Sequence, residues 1–224
     1  VGFLSALAVH LQNEYNLSPE NTFASGMSNG AEMSYMLACF AGDKFGAIAP
    51  VAGTMFGESW TDCSAEPIPV LEIHGTNDNV TLWDGDLNDT YWGPYPGMDE
   101  VIDFWVEQNG CESSEDNLLL GMNTIHHRYF NCLDNTEVWL YEVVNGGHDW
   151  PSYSSQEIWN FFTNFIDSSN ADINLDGEIN VADIVILVAM VLGDIEIIDS
   201  ADINFDGQIN IQDIIILVNI ILSS

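Results

Sequence analysis

Basic side chains are almost missing from this sequence: Lys44 and Arg128 stand against 35 acidic residues, a formal net charge of −33 over 224 residues. So negative a chain repels phosphate backbones and anionic lipid headgroups, which excludes nucleic acid as a partner and argues against a membrane surface. The same balance favours solubility and suits high salt, where repulsion between carboxylates is screened over roughly 3 to 8 Å. Long apolar runs are missing too. The longest, "IVILVAMVL", is about half of the roughly 18 residues that signal a membrane span. No CxxC occurs: Cys39, Cys63, Cys111 and Cys132 lie at wide spacings, which argues against a zinc site and is compatible with two disulfides made in an oxidising compartment. A signal peptide and an initiator methionine are also absent. The chain opens on "VGFLSALAVHLQNEY", an amphipathic helix pattern that reads as cut from something longer.

What is present is ample apolar content, 47% of residues, enough for one moderate domain and a small second one. An internal repeat sets the boundary near residue 170. "DINLDGEINVADIVILVAMVL" (172–192) and "DINFDGQINIQDIIILVNIIL" (202–222) match at 13 of 21 positions with an offset of 30, a duplication. Before it, strand-like runs ("NTFASG", "GAIAPVAG", "PVLEIHG", "EVWLYEVV") alternate with helical stretches ("AEMSYMLACFA", "MDEVIDFWVEQN", "SQEIWNFFTNFID"), the order of an α/β domain with a mostly parallel sheet and flanking helices. The expected division is a first domain over 1–167, a linker at 168–171 and a small helical domain over 172–224.

Within the first domain "GMSNG" sets Ser28 between Gly26 and Gly30, after a strand-like run and before a helical one. That arrangement is the one in which a serine on a strained strand-to-helix turn is lifted above a sheet as a nucleophile, with the backbone N–H of the next residue, Asn29, facing a developing oxyanion. In such a fold the acid and then the histidine follow on loops after later strands. "VLEIHGTNDNV" puts Asp78 on the first such loop, and "VWLYEVVNGGHDWP" presents His148 after a two-glycine turn. The other histidines fit structural roles: His10 precedes the serine, His74 is placed to brace the acid's loop, and His126 and His127 sit inside a strand pair. Trp83, Trp92 and Trp150 are candidates for aromatic stacking near this site.

Five collinear blocks, "GMSNGAEMSYMLAC", "AIAPVAGT", "VLEIHGTNDNV", "FWVEQNGC" and "GGHDWP", make residues 1 to about 166 resemble the polyhydroxybutyrate depolymerase/feruloyl esterase group of secreted α/β-hydrolases. The resemblance implies Ser28 as nucleophile, His148 as base and Asp78 as the acid that orients it. It further implies disulfides Cys39–Cys63 and Cys111–Cys132. Relatives carry several strands before the helix that opens this sequence, including a His-Gly loop that supplies a second oxyanion donor; the expectation is that the first strands of the domain are missing here. Relatives also commonly carry arginine where this sequence has Met36.

Read against a calcium loop, the first repeat offers oxygen ligands at positions 1, 3, 5, 9 and 12 from Asp172, Asn174, Asp176, Asn180 and Asp183, with Gly177 at the sharp turn and the Glu178 carbonyl at position 7. The second offers Asp202, Asn204, Asp206, Asn210 and Asp213, with Gly207 and the Gln208 carbonyl. Calcium takes six to eight hard oxygens, and this spacing curls them round one point. Loop, helix, linker, loop, helix with aspartate at position 12 resembles a type I dockerin over residues 171–222. The resemblance implies two calcium ions and a cohesin-type scaffold protein as partner. The helices "DIVILVAMVL" and "DIIILVNIIL" are apolar nearly all round, more than packing on each other requires. Taken together, the sequence reads as a secreted serine carboxylesterase acting on feruloyl or acetyl esters of polysaccharide, tethered through a dockerin. A polyester depolymerase is the nearest rival, and a non-catalytic scaffold-attached binding protein is a rival of another class.

Overall fold

The computed structural model describes residues 1–15, 17–119, 122–166, 171–203 and 207–223. In chain order its elements are α1 (Gly2–Tyr15), β1 (Phe23–Met27), α2 (Asn29–Ala41), β2 (Ala47–Val51), the single turn α3 (Glu58–Thr61), β3 (Val70–Gly75), α4 (Met98–Gln108), β4 (Ser113–Leu119), β5 (Thr124–Phe130), β6 (Val138–Val143), α5 (Ser154–Thr163), α6 (Val181–Leu192) and α7 (Ile211–Ser223).

One six-stranded sheet runs in the order β1-β2-β3-β6-β5-β4. β1, β2, β3 and β6 are parallel neighbours, while β5 and β4 pair antiparallel at the far edge. The fold is thus α/β with a mixed, mostly parallel sheet. The strands β2 and β3 are buried at every residue, as expected of parallel strands covered on both faces. Alternation assigns the faces. Ile48, Val70, Val138 and Leu140 point towards α2 and α4, where Tyr35, Met98, Ile102 and Trp105 complete one core. Ala47, Ala49, Leu71, Ile73 and Tyr141 point the other way, against Ile158, Phe161 and Phe162 of α5. α1 lies behind α2, packed on Leu37, Ala41 and Phe45. Each fully buried large side chain here contributes about 1.5–3 kcal/mol.

Two disulfides join Cys39 to Cys63 and Cys111 to Cys132, and no described cysteine is free. The first ties α2 to the segment after α3; the second ties the residues after α4 to the end of β5. Loops of 24 and 21 residues correspond to about 3 kcal/mol each on the chain-entropy account. No helix of the described residues is long and apolar enough to cross a membrane.

The C-terminal region has a core of its own from Ala171, Ile173, Leu187, Met190, Ala201, Ile203 and Leu217, where α6 and α7 pack together. The duplication holds at atomic level. Asp183 Oδ1 accepts from Ile173 N and Oδ2 from Asn180 N, at 2.9 and 2.8 Å; Asp213 does the same with Ile203 N and Asn210 N, at 2.9 and 2.8 Å. Both aspartates are fully buried at the first turn of their helices. They latch each loop to its helix. Val181, Val185 and Leu192 on α6 and Ile211, Ile215 and Leu222 on α7 stay exposed, so the apolar excess seen in sequence is only partly used by the helix pair.

Candidate active site and candidate metal loops

Ser28 stands between β1 and α2 with φ 57° and ψ −120°, a left-handed conformation costly for a non-glycine residue. It occupies the N-cap position, yet its hydroxyl makes no capping bond, although serine there normally binds an N-terminal amide. The turn is held through its backbone instead: Ser28 N donates to Val51 O at 2.9 Å, and Ser28 O accepts from Ala31 N and Glu32 N. The flanking glycine is required by space, because a Cβ at Gly26 would fall 2.7 Å from the Gly30 backbone. Asn29 is the first residue of α2, so its N–H has no intrahelical partner.

Asp78 follows β3 and His148 follows β6, the adjacent parallel strand, so both lie at the same C-terminal edge of the sheet as Ser28. His148 Nδ1 donates to Asp78 Oδ2 at 2.8 Å. The other carboxylate oxygen accepts from Val80 N and Thr81 N, at 2.8 and 3.0 Å, which fixes the rotamer of a residue only 5% exposed. The two loops are bonded to each other by Asn77 N to Gly146 O at 2.8 Å and Thr76 N to Val143 O at 3.0 Å, and by Asn145 N to Thr76 Oγ1 at 2.8 Å. Ser28 Oγ and His148 Nε2 share no hydrogen bond in this structure.

His74 braces the acid's loop through Nε2, which donates to Thr81 O at 2.9 Å. Sequence reasoning missed its neighbour Glu72, fully buried, which faces His74 Nδ1 at 3.1 Å and accepts from Tyr35 Oη at 2.8 Å. The signal was available: a parallel strand buried on both faces reads as a continuous apolar run, and "VLEIHG" breaks that run twice on one side. Burial raises the Glu72 carboxyl above its usual range. Burial also works against the charged form of His74, but the hydrogen bond and charge of Glu72, the Thr81 carbonyl and the charge of Asp78 outweigh it and raise the imidazole.

Of the tryptophans singled out, Trp83 packs on the core and stands edge-on to His74. Trp92 is 57% exposed and pairs with Tyr91, while Trp150 is partly exposed and donates to Ser155 Oγ. A cavity of about 330 Å³ lined by Ile73, Gly75, Val143, Gly146, Gly147, Asp149, Trp150 and Pro151 opens beside the His148 loop. A cleft of about 410 Å³ lies at the opposite end of the sheet, among residues that precede β1, β3 and β6. No part of the serine, acid and histidine constellation reaches it.

In the first repeat the loop is wound by its own acceptors. Asp172 takes the amides of Asp176 and Gly177, Asn174 Oδ1 takes Asp176 N, and Asp176 Oδ1 takes Glu178 N. Leu175 and Gly177 supply the bend with φ 59° and 89°. In the second, Gly207 N donates to Asp202 Oδ2 at 2.7 Å and Gln212 N to Asn210 Oδ1 at 2.8 Å; Asn204 and Asp206 lie outside the described residues. No three His, Cys, Asp or Glu side chains among the described residues gather as a ready metal cage. The donor chemistry nonetheless fits a hard cation. All ligands named from the sequence are oxygens, and an ionised aspartate that accepts one amide on each oxygen keeps lone pairs for a metal.

The dockerin type I domain model matches residues 170–222; type I dockerin domains typically bind calcium. The chain is 30% identical over 138 residues to Feruloyl esterase B of Piromyces equi, covering 59% of this chain and 25% of that protein. It is 28% identical over 170 residues to Probable feruloyl esterase C of Aspergillus niger, covering 72% and 57%. Among solved structures, the acetyl xylan esterase from Aspergillus awamori superposes with a TM-score of 0.50 at 15% identity, over 71% of this chain and 66% of that one. At that identity the likeness speaks to fold alone. The chain spans from a quarter to a little over half the length of these curated relatives. In fold it is an α/β protein of the esterase kind, homologous to carboxylic ester hydrolases. More particularly, it is a feruloyl esterase-like α/β-hydrolase domain followed by a type I dockerin domain.

Proposed function

We propose that this chain carries the catalytic apparatus of a secreted serine carboxylesterase, with Ser28, His148 and Asp78 as nucleophile, base and orienting acid. The observation that carries the reading is the 2.8 Å bond from His148 Nδ1 to a buried Asp78, at the same sheet edge as a strained serine whose hydroxyl caps nothing. Asp78 sets the tautomer, leaving Nε2 as the basic nitrogen. When an ester binds, His148 Nε2 takes the proton from Ser28 Oγ as the oxygen attacks the carbonyl carbon, and the imidazolium is stabilised by Asp78. The Asn29 N–H faces the oxyanion. The proton then passes to the leaving alkoxide. Water, deprotonated by the same nitrogen, releases the acid and regenerates Ser28. Catalytic serine–histidine hydrogen bonds are often long or unformed without substrate and tighten when it binds.

The relatives named for feruloyl esters and the dockerin favour feruloyl or acetyl esters on polysaccharide as the substrate class. Residues 1–167 form the hydrolase domain, 168–171 the linker and 172–224 the dockerin, which attaches the enzyme to a cohesin-bearing scaffold outside the cell. Calcium would be held by Asp172, Asn174, Asp176, Asn180, Asp183 and the Glu178 carbonyl, and by their counterparts in the second repeat. It offsets the mutual repulsion of the loop carboxylates and takes no part in ester cleavage. The test is hydrolysis of methyl ferulate, acetylated xylan and polyhydroxybutyrate by the protein and by Ser28→Ala. Release from the first two that Ser28→Ala abolishes supports the reading; release from polyhydroxybutyrate alone moves it to polyester, and equal rates for both proteins overturn the serine mechanism.

A further inference from the structure

A serine, histidine and acid relay leaves one costly feature unexplained: two ionisable side chains, Glu72 and His74, are wholly enclosed under the site. They share the α2 and α4 face of β3 with Val70, while Leu71 and Ile73 point to α5. Enclosing such groups is unfavourable unless each charge is matched, and here every oxygen and ring nitrogen has a partner. Glu72 Oε2 accepts from Tyr35 Oη at 2.8 Å, and Oε1 accepts a long bond from Gly53 N at 3.4 Å while facing His74 Nδ1 at 3.1 Å. His74 Nε2 reaches Thr81 O at 2.9 Å and lies 3.6 Å from Asp78 Oδ2, the oxygen that accepts from His148.

The proton positions follow from what each partner can do. A carbonyl oxygen only accepts, so His74 Nε2 carries a proton. Burial opposes the Glu72 carboxylate, but donors on both of its oxygens and the cation of the adjoining ring favour it, and in that pairing Nδ1 carries a proton as well. The Thr81 peptide is then gripped at both ends: its carbonyl by His74, its N–H by Asp78 Oδ1. Trp83 closes the edge of the His74 ring. The titratable groups facing this ring are Glu72 on its own strand and Asp78 on the loop, with Tyr35 of α2 behind Glu72.

We propose that Glu72 and His74 are an ion pair that positions the acid of the proposed triad, the imidazolium standing against Asp78 Oδ2 and holding the Thr81 turn that grips Oδ1. The inference rests on the esterase reading for its effect on turnover, but the ion pair itself does not. Asp78 is held in one rotamer, and part of its charge is offset before it acts on His148. Glu72 and His74 touch neither substrate nor reacting atoms. They are positioning residues.

Glu72→Gln separates charge from shape. A glutamine can still accept from Tyr35 and donates its amide to His74 Nδ1, which leaves the ring as the neutral Nε2–H tautomer, still bonded to Thr81. The variant should fold, lose about 10-fold in kcat with KM changed less than about two-fold, and move the acidic limb of its kcat/KM profile to higher pH, because Asp78 then acts on His148 without the neighbouring cation. Nitrogen-15 NMR of labelled histidine, with His74 assigned through its contact with Trp83, should show both ring nitrogens protonated in the native protein near pH 7 and one in Glu72→Gln. Tyr35→Phe removes one donor to Glu72 and keeps the core ring; it should shift the profile the same way by less, and serves if Glu72→Gln does not fold. A neutral His74 in the native protein, or an unmoved acidic limb in both variants, overturns the proposal. The NMR result stands whether or not the chain cleaves esters, whereas an unaffected Ser28→Ala would sink the esterase reading alone.

Discussion

Replacing Gly75 with alanine tests how the acid and the histidine are brought together. Gly75 ends β3 opposite Val143 of β6, where the two loops diverge from neighbouring strands. An alanine Cβ there would lie 2.4 Å from the Gly146 carbonyl oxygen and 2.5 Å from both the Gly146 carbon and the Gly147 oxygen, where ordinary contact begins at 3.4 Å. The loop must retreat by about 1 Å. Every atom in the way is main chain on the two residues before His148, so no rotamer change relieves the clash and the retreat carries the imidazole with it. A bond of 2.8 Å to Asp78 stretched by that amount leaves hydrogen-bonding range. Displacement of about 1 Å at a catalytic group costs roughly 10²-fold in rate, and overpacking of this kind destabilises by about 1–3 kcal/mol. The assay is kcat and KM on a p-nitrophenyl ester alongside thermal unfolding. The control is Gly42→Ala, at φ −57° with nothing within 4 Å of a new Cβ, which should leave both unchanged. A Gly75→Ala protein that unfolds more easily yet keeps kcat within about two-fold would refute the claim that this approach of backbones sets the Asp78–His148 register.

Ser28→Ala should remove nearly all esterase activity, and Asp78→Asn should cost about 10⁴-fold by presenting the wrong imidazole tautomer; near-normal turnover of Asp78→Asn would point instead to Asp84 or Asp86. Burial, with the charge of Arg128, holds the His126 imidazole down from 6.5 to about 4, so this residue's contribution to stability is present above pH 6.5 and lost as pH falls towards 4. Because the ring is partly exposed the loss is discounted for solvent to about 1–2 kcal/mol, and His126→Phe, which keeps the tilted ring contact with Trp139 and removes a buried Nε2 that has no partner, should flatten that part of the acid unfolding curve. Chelation by EDTA should reduce the helical circular dichroism of α6 and α7 and open this region to protease, while Asp176→Ala should lower the calorimetric calcium stoichiometry from two towards one; helix content unchanged by EDTA in low-salt buffer would refute the calcium loops.

The parts of this molecule legible in its sequence are those whose cause is local. A strand that must turn at once into a helix shows its glycines in place, so Ser28 could be placed on its turn from five residues. A duplicated loop repeats its oxygens at fixed spacing, so the C-terminal region could be parsed without reference to the rest. Parallel β1, β2 and β3 follow from apolar runs separated by helical stretches, and the strand pair around His126 and His127 is β5 with its antiparallel neighbours, whereas the edge strand β4 was not legible, since "SSEDNLL" carries little apolar alternation and is exposed along most of its length. Physics acting across the chain left fainter traces. Gly75 is an ordinary glycine in a sequence; only the arrival of Gly146 from 71 positions away makes it irreplaceable. Asp183 reads as a metal ligand by position, and nothing local reveals that its carboxylate also holds Ile173, Asn174 and Asn180. Glu72 lies between these cases. A strand enclosed on both faces that puts two polar residues on one of them must find their partners elsewhere, because unmatched they would destabilise the core by more than a typical mutation does. The sequence therefore states that partners exist without naming them. Tyr35, Gly53 and Thr81, drawn from a helix and two loops, become identifiable only when the sheet has brought them within reach, and the same packing puts the matched pair directly against Asp78.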